Sequence, residues 1–341
     1  MAQSSCKARI AVDAMGGDFA PGEIVKGAAR AARAGEAEII LVGQQDVVLA
    51  EMERQGIPRD LMPVVHAAEV VNEGEASATA IRKKRQSSIV IGVKLVRSHE
   101  ADAFISAGSS GAVGAAAATY LGMIEGMERP TIGGGFSSFA PNIVVMDLGV
   151  NVDSKPHQLV SFAIAGTVYA RTMYGIANPT VGLLSTGSEE GKGNDLVKES
   201  FALLRKSGLN FIGNIEGNDI LTGRANVIVC DGFIGNVVLK FYESIGDRAK
   251  VWLMAKYPWV KGLVGWAFDQ VLPIKKLSYE GEDAGIGILW GVDGVVRIAH
   301  GACKAEHIVH GINAARKAVA VDIVGNLKRE IALLKQQGKL Q

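Results

Sequence analysis

The stretch Ala103-Phe104-Ile105-Ser106-Ala107-Gly108-Ser109-Ser110-Gly111-Ala112 decides how the rest of the chain is read. It opens a segment, Ala103 to Ile124, that carries no charge and is long enough to cross a bilayer. Four glycines and three serines interrupt it, and its apolar residues are mostly alanine. That pattern predicts a strand, a glycine turn and a buried helix rather than a membrane span. The same alternation recurs outward in both directions. Arg9 to Val12 runs into the turn Asp13-Ala14-Met15-Gly16-Gly17-Asp18, and a helix is expected from about Pro21. Short apolar runs follow at Ile39–Val42, Pro63–Val65, Ile143–Val145, Val181–Leu184, Phe211–Ile212 and Val227–Val229. Runs that are apolar on both faces, separated by helical patterns, read as a mostly parallel sheet with helices on both faces.

The chain has 341 residues, of which 42 are glycine and 9 proline. Glycine at about 12% exceeds the globular average of about 7%, and scarce proline makes this a turn-rich fold rather than a low-complexity chain. Apolar residues make up 48% and charged residues 21%, with a net charge of +1. No global field draws the chain to nucleic acid. Cys6, Cys230 and Cys303 are odd in number and far apart, so neither a disulfide framework nor a structural zinc site is expected. No secretory signal is visible at the N-terminus, and a reducing cytoplasm is the expected setting. No linker divides the chain. One continuous two-lobed α/β body over 1–341 is expected.

Three strand–glycine turn–helix junctions could carry chemistry, because unpaired N–H groups at a helix N-terminus favour an anion. The first holds Gly108, Ser109, Ser110 and Gly111; the competing reading is a tight turn that needs glycine. The second runs from Ser185 through Thr186, Gly187, Glu189, Glu190 and Lys192 to Asn194. It fails the Walker A test, since only three residues, not four, lie between Gly187 and Gly191 and Gly193 follows Lys192, so ATP is not indicated. Lys192 suits an inorganic phosphate or a developing oxyanion, or is simply solvated. The third is Cys230-Asp231-Gly232-Phe233-Ile234-Gly235-Asn236, where Asp231 caps a helix or orders a site and Asn236 offers an amide. A dinucleotide fingerprint, a nucleophile elbow and zinc spacing are all missing. Asp147, Asp153 and Asp231 make only a weak metal set.

Two helical stripes stand out. Ile234, Val237, Val238, Phe241 and Ile245 start one after Gly232; Ile308, Ile312, Ala315, Val319, Ile323, Leu327 and Ile331 form the other. Both read as core or subunit contact. Between 250 and 276, Trp252, Tyr257, Trp259, Trp266 and Phe268 mix with Lys250, Lys256, Lys261, Lys275 and Lys276. Pro258 and Gly262 suggest a helical arm at about 237–276 with a hairpin tip carrying Trp259, Val260, Lys261, Leu263, Val264 and Trp266. Such a tip suits a lipid interface, an aromatic dimer core, or docking of an acidic protein.

These motifs together resemble the bacterial phosphate acyltransferases of phospholipid synthesis. The matching stretches are Ile10 to Asp18, Ala107 to Ala112, Asp147 to Asp153, Glu189 to Asn194, Asp231 to Asn236, and Ala299-His300-Gly301. They run in order over nearly the whole chain, and Val12-Asp13-Ala14-Met15-Gly16-Gly17-Asp18 is highly specific by itself. The resemblance implies a homodimer with a fold similar to isocitrate and isopropylmalate dehydrogenases, with no redox cofactor and no metal. It implies transfer of a fatty acyl group from acyl carrier protein to inorganic phosphate, at a peripheral membrane surface. Lys192 and Asn236 are then the leading catalytic residues, with Asp231 and His300 ordering the site or moving a proton. Asp13, Gly16, Gly17, Asp18, Gly108 to Gly111, Thr186 and Gly187 are expected to contact substrate or phosphate. From Glu280 to Gly291 the chain departs from the family pattern, which points to a loop with altered acyl or carrier contacts. A nicotinamide- and metal-dependent dehydrogenase, a non-catalytic membrane scaffold and a coenzyme A phosphotransacetylase are the rival readings.

Overall fold

The computed structural model describes residues 7–72, 74–136, 140, 142–256 and 286–340. The chain divides into two compact units, one formed by Met1–Pro130 and Gly285–Ala332, the other by Thr131–Ala284 and Leu333–Gln341.

In the first unit the strands are β1 (Ala8–Asp13), β2 (Ala37–Gly43), β3 (Val64–His66), β4 (Ala103–Ser106), β10 (Ile286–Trp290) and β11 (Val295–Ala299). Their order is β3-β2-β1-β4-β11-β10. All neighbours are parallel except β10 and β11, which form an antiparallel hairpin. The hairpin corrects the loop reading of Glu280–Gly291. Residues 280–285 lie outside the described residues, but Ile286, Ile288, Leu289 and Trp290 are buried strand residues. The helices of this unit include α1 (Gly22–Ala34), α2 (Gln45–Arg54), α3 (Ser77–Lys83), α4 (Ser88–Arg97) and α5 (Ser110–Tyr120). The segment Ala103–Tyr120 is thus the expected strand, turn and helix, and none of the described helices is long and apolar enough to cross a membrane.

The second unit carries β5 (Thr131–Gly135), β6 (Val144–Met146), β7 (Thr180–Leu184), β8 (Asn210–Ile215) and β9 (Val227–Val229), in the order β5-β6-β9-β7-β8. Only the β5–β6 pair is antiparallel. Helices α6 (Pro156–Tyr174), α7 (Asp195–Lys206) and α8 (Gly232–Lys256) belong here. Its core gathers Phe136, Ile143, Val145, Leu184, Ile215, Ile228 and Tyr242. The α8 stripe splits. Ile234 and Val238 pack on this core, whereas Val237, Phe241 and Ile245 are 52%, 66% and 43% exposed.

The second expected stripe is broken in two. Helix α9 (Ala305–Ala320) ends before Asp322, whose φ of 48° interrupts the ladder, and α10 (Ile323–Gln336) begins directly after it. Of the expected arm, α8 is described to Lys256; Trp259, Val260, Lys261, Leu263, Val264 and Trp266 lie outside the described residues.

Candidate functional site

In a parallel sheet the loops at the carboxyl ends of the strands form the ligand-binding rim. The expected site residues fall on such rims in both units.

On the first unit, β1, β4 and β11 run parallel and end at Asp13, Ser106 and Ala299. Asp13 is buried and folds its own turn, its Oδ1 accepting from the Met15 N–H at 3.0 Å. Its Oδ2 accepts from the Ser106 hydroxyl at 2.6 Å, and Ser106 Oγ in turn accepts from the Gly108 N–H at 3.0 Å. One carboxyl therefore ties the Asp13–Asp18 turn to the Gly108–Gly111 turn. Gly16 lies in the fork between them. A methyl there would sit 2.6 Å from both Asp13 Oδ2 and Gly108 N, so only glycine fits. Asp18 donates its N–H to the Gly301 carbonyl at 2.9 Å, and Gly17, with φ +101°, lies over Ala107 and Gly301. Burial pushes the Asp13 carboxyl up from its ordinary value, against the opposing pull of hydrogen bonds from Ser106, Ser88, Met15 and Gly16.

The serines divide between two jobs. Ser109 caps α5, its hydroxyl accepting from the Ala112 N–H at 3.4 Å, while Ser110 and Gly111 are exposed at the first turn. Their N–H groups precede the first intrahelical bond, at the positive end of the helix. His300 is exposed, and its Nδ1 accepts from the Ala302 N–H at 3.2 Å, which leaves Nε2 as the proton-bearing nitrogen of the neutral ring.

On the second unit, β6, β9 and β7 run parallel and end at Met146, Val229 and Leu184. Asp147, fully buried, gathers the loop after β6. Its Oδ1 accepts from the N–H groups of Gly149 and Val150, each at 3.1 Å. Its Oδ2 accepts from the Asn151 N–H at 2.8 Å and the Asn151 amide at 2.7 Å. Burial pushes this carboxyl up as well. The start of α8 is pressed on the loop: a methyl at Gly235 would lie 1.8 Å from the Asp147 carbonyl oxygen. Asp231 caps α8 by accepting from the Ile234 N–H at 2.9 Å, so its position is accounted for by capping. Asn236, one turn on, lies against Gly149, and its amide has no hydrogen-bond partner among the described residues.

At the end of β7, Thr186 is exposed and Gly187 is buried beneath Lys192, whose Cγ would be 2.9 Å from a methyl there. The loop is anchored at both sides. The Asn214 amide donates to the Glu189 carbonyl at 2.9 Å, and the Asn194 side chain caps α7 through the Val197 N–H at 3.0 Å. Glu190 pairs with Arg205. Lys192 is exposed and has no ion-pair partner among the described residues. Ser185 Oγ and Asn214 Oδ1, at the base of this loop, are buried and likewise unpartnered.

The structure thus gathers Asp13, Gly16, Gly17, Asp18, Gly108 and the His300–Gly301 turn on one rim, and Thr186, Gly187, Lys192, Asp231 and Asn236 on the other unit's rim. Ser106 and Asn151 are central to the two loops, yet only their places after an apolar run and within the Asp147–Asp153 motif hint at it. Among the described residues no group of three His, Cys, Asp or Glu could hold a metal ion.

Comparison with known proteins gives the family and the fold. Residues 8–325 match the family described as "Fatty acid synthesis protein". The phosphate acyltransferase of Pelotomaculum thermopropionicum is 41% identical over 339 residues, covering 97% of each chain. Among solved structures, a phosphotransacetylase from Streptococcus pyogenes superposes with a TM-score of 0.64 at 19% identity, covering 93% of this chain and 94% of its own. A 4-hydroxythreonine-4-phosphate dehydrogenase from Klebsiella pneumoniae follows at 0.53 and 14%, covering 93% and 99%. These two share the fold, an α/β architecture with a mostly parallel sheet. By the extent of the family match and the identity to its curated relative, the chain belongs to the phosphate acyltransferase family of fatty acid synthesis proteins.

Proposed function

We propose that the protein transfers a fatty acyl group from acyl carrier protein to inorganic phosphate, releasing acyl phosphate for phosphatidic acid and phospholipid synthesis. The observation that carries this reading is the pair of unengaged donors on one rim: the Lys192 ammonium on its anchored loop and the Asn236 amide in the first turns of α8, neither committed to a protein partner among the described residues. Of the carboxylates on the same rim, Asp147 is turned to its own loop, Asp231 to the α8 cap and Glu190 to Arg205, while Glu189 stays exposed beside Lys192. Such a rim favours an anion.

The chemistry is phosphorolysis. A phosphate oxygen forms a bond to the thioester carbonyl carbon, and the carbonyl electrons move to oxygen. The C–S bond then breaks, with its electron pair leaving on the carrier's sulfur as thiolate. Acyl phosphate and thioester are both activated acyl groups, so no ATP is consumed. The reaction needs no enzyme nucleophile; it needs positioning and donors aimed at the developing oxyanion. Lys192 and Asn236 supply donors, and the N–H groups of Ser110 and Gly111 supply further anion-favouring positions on their own unit. Thr186 and Gly187 shape the Lys192 loop, and His300 offers a proton at Nε2. The protein acts as a homodimer at the cytoplasmic membrane surface, with Trp259 and Leu263 as lipid contacts; flotation of Trp259→Ser/Leu263→Ser with liposomes tests that association.

The decisive assay follows release of carrier thiol from acyl carrier protein as a function of phosphate, with hydroxylamine trapping of the acyl phosphate. Lys192→Ala is expected to lower turnover about a hundredfold, the usual effect of losing one oxyanion donor. Unchanged turnover at saturating phosphate removes Lys192 from the mechanism. Thiol release that proceeds equally fast without phosphate overturns the reaction itself. Turnover confined to coenzyme A thioesters would instead favour the phosphotransacetylase reading that the fold likeness keeps open.

A further inference from the structure

A cleft of about 730 Å³ lies between α1 and α2 of the first unit, away from the loops described above except at one end. Lys26, Arg30 and Arg33 line one wall and Arg54 the other, with Phe19 and Ile57 among the apolar lining. The three α1 cations stand at i, i+4 and i+7, which puts them on one helix face over roughly 10 Å of axis. Glu23 is the one acid of the lining. Its charge is already committed: Oε2 accepts from the Ala305 N–H at 2.9 Å and Oε1 lies 3.5 Å from Lys26 Nζ. Arg54 forks onto Glu51. Arg30 and Arg33 are exposed and have no carboxylate partner among the described residues, unlike Arg9, Arg59 and Arg316 of the same unit, which pair with Asp102, Glu53 and Glu36.

Two arginines on one helix face, unpaired among the described residues of a chain of net charge +1, favour an anionic occupant. The cleft is concave, walled by two helices, and its cations are spaced along a helix face. That geometry complements a helix carrying a row of carboxylates better than it does the plane of a bilayer. Phe19 gives the cleft its direction. It follows Asp18, whose N–H is bonded to Gly301, so one end of the cleft opens beside the candidate rim.

We propose that the α1–α2 cleft docks an acidic helix of the carrier protein, with Arg30 and Arg33 as the principal contacts and Phe19 marking the end where the carrier's acyl-bearing arm leaves for the rim. This rests on the reading that the acyl donor is carried on a protein, and the experiment separates the two. Holo acyl carrier protein is titrated into wild type and R30E/R33E, at low and high salt, by fluorescence anisotropy. The double charge reversal is expected to weaken binding at least tenfold, and salt to weaken the wild type toward the variant. In turnover, KM for the carrier-borne thioester should rise at least tenfold with kcat little changed. KM for the same acyl group on pantetheine should stay put, which also certifies that the variant is folded. Equal carrier affinity in wild type and variant overturns the docking surface and leaves the phosphorolysis standing. Wild type that binds carrier but releases no thiol from it in phosphate overturns the phosphorolysis, while loss of binding in R30E/R33E still supports the cleft. Vesicles of phosphatidylglycerol that release R30E/R33E but hold wild type, with carrier affinity unchanged, assign the cleft to lipid and overturn the proposal.

Discussion

Replacing Ser106 by alanine isolates the link that joins two loops of the first unit. The hydroxyl is buried, donates to Asp13 Oδ2 at 2.6 Å and accepts from the Gly108 N–H at 3.0 Å. The substitution removes a hydrogen bond to a carboxyl and strands a backbone donor, each worth on the order of 1–3 kcal/mol, so a total of about 3 kcal/mol is expected. With an unfolding entropy of about 2.1 cal/mol/K per residue over 341 residues, that corresponds to a fall in Tm of roughly 4 °C for a cooperative transition. Ser109→Ala is the internal control, because it loses only a 3.4 Å cap bond, about 1 kcal/mol. Scanning calorimetry should rank Ser106→Ala well below Ser109→Ala. The phosphate KM of Ser106→Ala should rise, since the Gly108 turn is no longer held. The reasoning is refuted if Ser106→Ala melts with or above Ser109→Ala and keeps the wild-type phosphate KM.

Further substitutions probe the other unit, the buried acids and the open helix face. Gly235→Ala drives a methyl to 1.8 Å from the Asp147 carbonyl, a backbone atom that cannot rotate away, so a loss of more than about 3 kcal/mol is expected in urea unfolding. A stability within error of wild type would show that the Asp147 loop yields freely. The raised Asp13 carboxyl means that the folded state holds its proton more tightly than the unfolded chain. Its stabilising contribution is therefore complete below the ordinary carboxylate range, about pH 4, and is lost as pH rises through the raised folded value. Asp13→Asn should flatten that part of the curve of urea midpoint against pH; an unaltered slope assigns the dependence to other groups. Phe241→Arg, on the exposed stripe of α8, should convert the proposed homodimer to monomer in sedimentation; a variant that stays dimeric places the contact elsewhere.

Much of the architecture is legible in the chain because its strands announce themselves. Ala103–Ser106, Val181–Leu184 and Val227–Val229 are apolar on both faces and lead directly into glycine turns. The strands that sequence reading leaves out break that rule for physical reasons. β5 contains Gly133, Gly134 and Gly135, which lack side chains to signal burial. β11 carries Arg297 in the middle of a buried run, its Nη2 donating to the Ile286 carbonyl at 2.7 Å. Its partner β10 alternates a glycine with apolar residues and so reads as loop. The site shows the same division. The glycine turns are visible as spacing, but the role of Ser106 depends on a contact 93 residues away in sequence, which no local pattern encodes. Likewise, whether Asp231 meets substrate or caps a helix is a question of direction, and the bond from the Ile234 N–H gives the direction.

One device recurs at these strand ends, and it bears on how an anion could be held there. Asp13, Asp147 and Asp231 each stand at or just after a strand end, and each accepts backbone N–H groups of the loop or helix that follows. At an effective dielectric near 20, a carboxylate about 6 Å from a singly charged phosphate would repel it by roughly 3 kcal/mol. Two features reduce that repulsion. The acids are turned toward the N–H groups of their own loops, and burial raises Asp13 and Asp147 toward the neutral form. The cationic and amide groups have the opposite disposition: among the described residues the exposed Lys192 has no ion-pair partner and Asn236 no hydrogen-bond partner. On this reasoning the acids build the loops and the uncommitted donors meet the ligand. Asp147→Asn should therefore act mainly on stability and Asn236→Ala mainly on turnover. A stable Asp147→Asn variant whose kcat falls as far as that of Asn236→Ala, with the phosphate KM unmoved, would mean that the buried carboxyl takes a direct part in the chemistry.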